Sequence, residues 1–399
     1  MRLLITIGAR FIDDILEKEL YGDSSTVEYD RWRGYLQYFD KVTLLVRAKD
    51  GRRNSQFKYR ASGERVDYIS LPYYEGPWQF AKQFLAIRRE LIRALSLWEE
   101  EAVIIRGPDI IGYILVGTLG EGRPYGVEVT GDPWDVFSPG AVKHILRPFL
   151  RLYFAYKLRK ACRNAVAALY VTKEALQKSY PCPCGMFSAS DVQLSEGDFV
   201  KEPRMFLRTK KRRLIFVGTL NQLYKAPDIL IKSFKECIER GQDLSLTLLG
   251  DGKYRPSLEK LAADLGISER VSFLGMVPRE EVFRKLDEAD LFVLPSKTEG
   301  LPRAMLEAMA RGLPCIGSKV GGIPELLPPE DLVPPGDVRA LAAKIMEVIK
   351  DPERMTKMSA RHLEKAREYR EDVLQKEREA FYSLVKEKTE EWIRMRKGL

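Results

Sequence analysis

Residues 299–326 read EGLPRAMLEAMARGLPCIGSKVGGIPEL. Two acids, Glu299 and Glu307, stand eight positions apart in a stretch rich in Ala, Met and Leu, and a glycine-bearing loop closes it at either end. Pro302 is a favoured first helical residue and Gly312, followed by Pro314, is a stop signal, so the spacing predicts one helix between them. The flanking runs ADLFVLPS (289–296) and PCIGSKV (314–320) are short, apolar and bounded by turn residues, as buried parallel strands are. Strand, loop, helix, strand and loop make one repeat of a doubly wound α/β sheet. The helix start then lies at the carboxyl edge, where such sheets bind ligands.

A helix start leaves N–H groups without partners and so favours anions. Gly300 lets the backbone approach a ligand, and Glu299 can accept hydrogen bonds from hydroxyls. Glu307 lies five residues into the helix, about 7.5 Å below its start at ~1.5 Å per residue. That depth suits a long ligand, with a phosphate at the tip and a ribose diol at the deeper acid. Gly321 and Gly322 precede Pro324 and predict a second helix start beside the first; two anion-ready loops suggest a diphosphate. A plain alternative stands next to this reading: Arg303, Glu307 and Arg311 fall at i, i+4 and i+8 and can form a solvated salt-bridge ladder.

Two further segments belong to the same series. In FVGTLNQLYKAPDILIKSF (216–234) a strand and a glycine turn at Gly218 lead to Lys225, which precedes a helix starting near Pro227. A lysine at a strand's carboxyl edge can neutralise a leaving diphosphate, or be an ordinary surface lysine. LLGDG (248–252) is a weak glycine signal that also reads as a plain turn.

Working outward, the same alternation runs through the chain twice. The first series is RLLITIG (2–8), KVTLLVRA (41–48), VDYISLP (66–72), AVIIRGP (102–108), PYGVEVTG (124–131), AALYVT (167–172) and MFSASDV (186–192). The second is RLIFVGT (213–219), LSLTLLGDG (244–252), VSFLGMV (271–277), ADLFVLPS, PCIGSKV and a closing DLVPPGD. Between them lies a basic, poorly apolar linker, KEPRMFLRTKKRR (201–213). We therefore expect residues 1–205 and 206–375 to be two domains, with 376–399 a terminal helix packing back on the first. A length of 399 residues suits two cores of this size.

Composition narrows the classes. At 45% hydrophobic and 31% charged residues, and without the roughly 18 uninterrupted apolar residues a span requires, an integral membrane protein is not expected. The opening MRLLITIGARFIDD reads as a first strand rather than a secretory leader, so a cytoplasmic chain is expected. Five cysteines without framework spacing fit reduced thiols, and PCPCG with only two histidines in the chain reads as a turn rather than a zinc site. The net charge of +9 calls for an anionic partner. Nucleic acid is not expected, for the chain has no arginine-rich tail, zinc finger or RNP-like aromatic motif.

Taken together, E-x7-E from Glu299 to Glu307, VGGIPEL, LLGDG, VSFLGMV and ADLFVLPS occur in the order found in the retaining glycosyltransferases of family 4, and residues 213–328 resemble that family. GDPW (131–134) is similar to transferases of exopolysaccharide pathways. The resemblance implies the GT-B fold, two Rossmann-like doubly wound parallel-sheet domains facing a cleft, the second binding a nucleotide sugar and the first an acceptor. It implies that Glu299 holds hydroxyls of the donor sugar and that the amides of Gly300 and Leu301 meet the sugar or its phosphate, with Pro302 and Arg303 at the same helix tip. Glu307 would hold the ribose, Lys225 the diphosphate beside Gly218, and the backbone of Met276 and Val277 the wall beside the base. Where the family has an arginine after the first glycine, this chain has Thr219; Arg303 or a first-domain residue would have to substitute.

The implied reaction is hexosyl transfer with retention, from a UDP-sugar in preference to a GDP-sugar, needing neither metal nor other cofactor. The leaving phosphate itself would take the acceptor proton. The implied acceptor is a glycan or lipid-linked glycan of cell-surface polysaccharide synthesis. In the first domain, VEVTGDPWD brings Glu128, Asp132 and Asp135 to a strand end at the cleft. Asp132 is the candidate for contact with donor sugar or acceptor, unless it merely caps the helix begun by Pro133. Segments 78–95 and 143–164 interleave apolar residues with Arg and Lys. They suit a peripheral position at an anionic inner membrane face, or a core-facing stripe with a solvated basic back. Two other readings of the whole remain: a GT-B phosphorylase or sucrose-synthase-like enzyme, and a non-catalytic module binding phosphorylated glycans or nucleic acid.

Overall fold

The computed structural model describes residues 1–137, 145–209 and 211–398. The first sheet contains β1 (Arg2–Asp14), β2 (Glu19–Gly22), β3 (Lys41–Asp50), β4 (Tyr59–Arg60), β5 (Val66–Leu71), β6 (Ala102–Gly107), β7 (Gly126–Val129), β8 (Ala167–Tyr170) and β9 (Met186–Ser188). Its parallel order is β5-β3-β1-β6-β7-β8-β9. The second contains β10 (Lys211–Val217), β11 (Asp243–Leu249), β12 (Val271–Gly275), β13 (Leu291–Leu294), β14 (Cys315–Ser318) and β15 (Leu332–Val333), in the parallel order β12-β11-β10-β13-β14-β15. Both sheets reverse direction beside their first strand. Ligands bind in the crevice at such a switch point.

Helices cover the sheets. Along the first run α1 (Tyr29–Arg33), α2 (Gly76–Leu97), α3 (Ile110–Val116), α4 (Pro133–Val136), α5 (Arg147–Asn164) and α6 (Ala175–Ser179). Along the second run α7 (Pro227–Glu239), α8 (Arg255–Asp264), α9 (Arg279–Glu288), α10 (Arg303–Ala310), α11 (Ile323–Leu326) and α12 (Val338–Ile349). Strands buried on both faces carry near-continuous apolar runs, as Leu291 to Leu294 show, each without exposed surface. The Ala, Met and Leu of α10 have the same cause: Met305, Leu306, Ala308, Met309 and Ala310 are all fully buried.

Several expectations need correction. The terminal helix α14 (Glu371–Lys397) begins before the expected residue 376, after a break around Tyr369 that separates it from α13 (Pro352–Arg367). β1 runs six residues beyond its expected end, through a bulge at Gly8 and Ala9, to form a hairpin with β2 and then β4. No Gly, Asn or Pro marks the turn after Asp14; it closes with Lys18 at positive φ. MFSASDV forms strand only over Met186–Ser188. Of the second basic segment, Lys143 and His144 lie outside the described residues, and α5 begins at Arg147.

The long α14 packs on β8 and β9 of the first sheet. Gly126 makes room for it, since a Cβ there would stand 2.8 Å from Val385 and 2.9 Å from Phe381. Glu128, buried beneath the helix, accepts from Tyr35 at 2.8 Å and Tyr382 at 2.9 Å and faces Arg106 at 3.4 Å. A buried carboxylate needs such partners to persist. Its place in the expected trio at the cleft is thus a structural one. A second bridge joins the domains at Glu325, whose carboxylate accepts from the backbone N–H of Lys173 (2.7 Å), Glu174 (3.1 Å) and Ala175 (2.7 Å).

Candidate functional site

The switch point of the second sheet lies between β10 and β13, and the loops that leave those strands carry Lys225 and Glu299. The two side chains meet there: Lys225 Nζ donates to Glu299 Oε1 at 2.8 Å, with only 12% and 8% of the side chains exposed. Burial pushes the Lys225 ammonium down, but the Glu299 charge, Tyr224 and the hydrogen bond outweigh it and leave the pKa raised. Glu299 Oε2 is buried and has no partner among the described residues. Lys225 is therefore no ordinary surface lysine. Gly218 is what lets it reach: a Cβ there would stand 2.5 Å from Lys225 Cδ.

The glycines hold these loops by close backbone approach. A Cβ on Gly250 (φ +127°) would fall 1.9 Å from Gly218 O, so LLGDG is more than a plain turn. Its Gly250 N–H donates to Gly275 O at 2.8 Å, tying the Gly218 loop to the segment with Met276 and Val277, where Met276 is 78% exposed. Gly321 (φ +51°) would put a Cβ 1.6 Å from Glu299 O. The expected second anion loop is corrected by the same contacts: the Gly322 N–H is spent on Gly300 O at 2.7 Å, and α11 is a four-residue helix. The double glycine supports the Glu299 loop, and of its two amides only that of Gly321 has no acceptor among the described residues.

At α10, Pro302 occupies the cap position and Arg303 the first helical one, a shift of one residue from expectation. The N–H groups of Gly300, Leu301, Arg303 and Ala304 have no acceptor among the described residues, so the helix start keeps its orphan donors. Gly312 (φ +64°) ends the helix, donating to Met309 O at 2.9 Å while Leu313 donates to Ala308 O at 3.0 Å. The salt-bridge ladder does not form. Arg311 instead holds Asp287 with both arms, at 2.8 and 2.7 Å. The Glu307 carboxylate has no hydrogen bond or ion pair among the described residues, and burial raises its pKa against the opposing charges of Arg303 and Arg279.

Thr219 only closes a turn, accepting from Asn221 N at 3.2 Å. Arg303 is a second cation at this seam beside Lys225, close enough for its charge to act on Lys225, Tyr224, Glu307 and Asp191. On the first domain, Asp132 caps α4, accepting from Trp134 N at 2.8 Å, and also accepts from the Tyr180 hydroxyl. The alternative reading of Asp132 as a cap therefore describes its contacts. Asp135 has its carboxyl pushed up to about 7 by burial and by the charges of Asp132 and, across the cleft, Glu299.

Sequence reasoning missed Tyr224, whose ring lies 5.3 Å from Lys225 Nζ, and Arg279 beside Glu307. It also missed Arg31, Arg106 and Asp191, which no periodicity or turn chemistry marks. Among the described residues no group of three or more His, Cys, Asp or Glu is placed to hold a metal ion, and no helix is long and apolar enough to cross a membrane.

Comparison with known proteins places this arrangement. Residues 201–365 match the family described as glycosyl transferases group 1. The chain is 30% identical to protein CapJ of Staphylococcus aureus over 323 residues, 79% of this chain and 78% of CapJ. It is 37% identical over 145 residues to the amylovoran biosynthesis glycosyltransferase AmsK of Erwinia amylovora, 34% of this chain and 35% of AmsK. Among solved structures, sucrose-phosphate synthase from Thermosynechococcus elongatus superimposes with a TM-score of 0.67 at 16% identity, covering 96% of this chain and 98% of that one. HepE of Anabaena, in complex with UDP-glucose, gives 0.62 at 18% identity, covering 96% and 100%. With two parallel-sheet domains of the GT-B fold and 30% identity to CapJ over 323 residues, the chain belongs to the glycosyl transferases group 1.

Proposed function

We propose that this glycosyltransferase moves a hexosyl group, with retention and without a metal ion, from a nucleotide diphospho-sugar to a glycan or lipid-linked glycan of cell-surface polysaccharide synthesis. The observation that carries the reading is the juxtaposition at the second switch point: a buried lysine–glutamate pair, a helix start with free amides, and an unpaired acid about five residues, or ~7.5 Å, deeper in that helix. Breaking the anomeric C–O bond loads negative charge onto the departing diphosphate, so donors must be in place before it leaves. Lys225, Arg303 and the Gly300 to Ala304 amides supply them. Glu299, freed in part from Lys225 as the diphosphate arrives, takes hydroxyls of the sugar through its unpartnered Oε2. Glu307 grips the ribose diol, and the backbone at Met276 and Val277 flanks the base. The departing phosphate receives the acceptor proton, so no protein nucleophile is required.

Uridine is favoured over guanosine as the base by the fold neighbours solved with UDP or UDP-glucose, whereas two mannosyltransferases among the relatives are named for GDP-mannose. Polysaccharide synthesis is favoured by relatives such as AmsK. A peripheral position at an anionic membrane is supported by Ile145, Phe149, Leu152 and Tyr156, spaced three or four residues apart and exposed, with Arg159, Lys160 and Arg163 beyond them.

The test is to incubate the full chain with UDP-glucose, UDP-galactose and GDP-mannose in EDTA and follow sugar release or transfer by NMR. Release of an α-configured sugar from an α-linked donor, undiminished by EDTA, is expected. Inversion, a requirement for added metal, or no turnover with any nucleotide sugar and acceptor mixture would contradict the proposal.

A further inference from the structure

The first sheet has a switch point of its own, between β1 and β6, and a cavity of about 430 Å³ opens there, facing Gly300 and Leu301 across the cleft. Its charged lining is Arg31, Arg106, Asp109, Asp191 and Arg303. The acids in it are already satisfied. Asp109 accepts from the N–H groups of Ile111 (3.2 Å) and Gly112 (3.1 Å) at the start of α3. Asp191 accepts from Arg31 at 2.7 Å on one oxygen and from Arg106 at 3.1 Å on the other, and the two guanidinium groups overcome its burial and hold its carboxyl far below the usual range.

The cations are not satisfied in return. Arg106 divides itself between Asp191 and Glu128. Among the described residues Arg31 commits only Nη2, and its Nε is buried without a partner. The Arg303 side chain, on the opposite wall and exposed, makes no hydrogen bond or ion pair among the described residues. A guanidinium presents a rigid fork of donors that matches a carboxylate or a phosphate, and a fork with free N–H groups in a partly dry cavity is most stable with such an anion on it.

We infer that this cavity takes the acceptor through an anionic group, a carboxylate or a phosphate carried by the acceptor, held by the Arg31 fork, while Arg303 across the cleft serves the donor diphosphate. Asp191, braced by Arg106, sets the plane of the Arg31 fork. The inference rests on the transfer reaction proposed above and names a class of acceptor for it: a uronic-acid-bearing glycan or one carrying phosphate, rather than a neutral one.

Three probes test this on the full chain: methyl glucuronide, glucose 1-phosphate and neutral methyl glucoside, each titrated by NMR in the presence of UDP. The wild type should bind one anionic probe about tenfold or more tightly than the glucoside, the order one charge-assisted pair supplies. Whether that probe is the glucuronide or the phosphate names the source of the charge. Arg31→Gln should abolish the preference while leaving UDP affinity within about twofold, and Arg31→Lys, which keeps charge but not the fork, should retain part of it. Should Arg31→Gln fail to fold, the Arg31→Lys loss alone decides. Equal binding of all three probes, an unchanged preference in both variants, or a parallel loss of UDP binding that assigns Arg31 to the donor would overturn the inference. If the wild type keeps its anion preference but never binds UDP, the cavity assignment stands and the donor reading fails.

Discussion

Replacing Lys225 by Met strips a buried carboxylate of its one partner among the described residues, and the cost can be bounded from the structure. Glu299 Oε1 would lose its 2.8 Å donor, and Oε2 has none already, so the acid would be left uncompensated at 9% exposure. Breaking a buried pair from one side typically costs about 3–5 kcal/mol. The stranded acid can escape by taking up a proton, which sets a ceiling. For a glutamate starting from an ordinary solution value near ~4.3, protonation costs roughly 1.36 kcal/mol per pH unit, hence about 3.7 kcal/mol at pH 7 and about 1 kcal/mol at pH 5. Urea unfolding of Lys225→Met is therefore expected to show a loss of about 3–4 kcal/mol at pH 7 that shrinks to about 1 kcal/mol at pH 5. Adding Glu299→Gln should restore stability to within about 1 kcal/mol of wild type, because neither charge is then left alone. That folded double variant should no longer bind a nucleoside diphosphate. A loss at pH 7 below about 1 kcal/mol, or one equal at both pH values, would refute the buried-pair reasoning.

Other expectations follow from backbone and titration. Ala226, directly after Lys225, is held at φ +52° in the left-handed region, which costs an L-residue roughly 1–2 kcal/mol. Ala226→Gly should raise stability by about 0.5–1 kcal/mol after the added chain entropy of glycine, measured as a shift in the urea midpoint. Gly321→Ala meets both positive φ and a Cβ position 1.6 Å from Glu299 O, so it should cost more than about 1 kcal/mol and weaken nucleotide binding by displacing the Glu299 loop. His362 is fully buried, accepts from Cys315 N at 3.2 Å, and has its pKa lowered by burial despite the neighbouring Asp331. A base with a depressed folded pKa binds fewer protons folded than unfolded, so its contribution is intact above the ordinary histidine value and lost as pH falls below it. Asp331, whose carboxyl is held low by His362 and Arg354 against its burial, adds to the same trend at lower pH. Thermal melts should therefore weaken from pH 7 to pH 5, and His362→Gln should flatten the upper part of that decline.

The parallel strands of both sheets were legible because burial on two faces writes Val, Ile and Leu into continuous runs, and the start and stop of α10 because Pro302 and Gly312 carry backbone chemistry of their own. The β1–β2 hairpin was not, since its turn has no Gly, Asn or Pro and its register comes from tertiary pairing. At the site, the Glu307 carboxylate pairs with neither Arg303 nor Arg311 among the described residues, which answers the ladder reading. Part of what the double glycine does was not legible. Its bulk-free surface serves a backbone contact with residues 299 and 300, and a contact partner some twenty residues away leaves no mark on local sequence. The same holds for Arg31, Arg106 and Asp191, which come from three separate elements and meet only when the sheet is assembled.

The central claim, a nucleotide-sugar site with Glu307 at its ribose end, is tested most directly by calorimetric titration of the wild type and Glu307→Ala with UDP, GDP, ADP and CMP, without added metal. The account predicts saturable binding of one nucleoside diphosphate, UDP before GDP, weakened about 10- to 100-fold in the variant, as loss of a charged hydrogen-bond partner of ~1.5–3 kcal/mol implies. No binding of any nucleotide, or equal and salt-sensitive binding of all four that Glu307→Ala leaves unchanged, would contradict it.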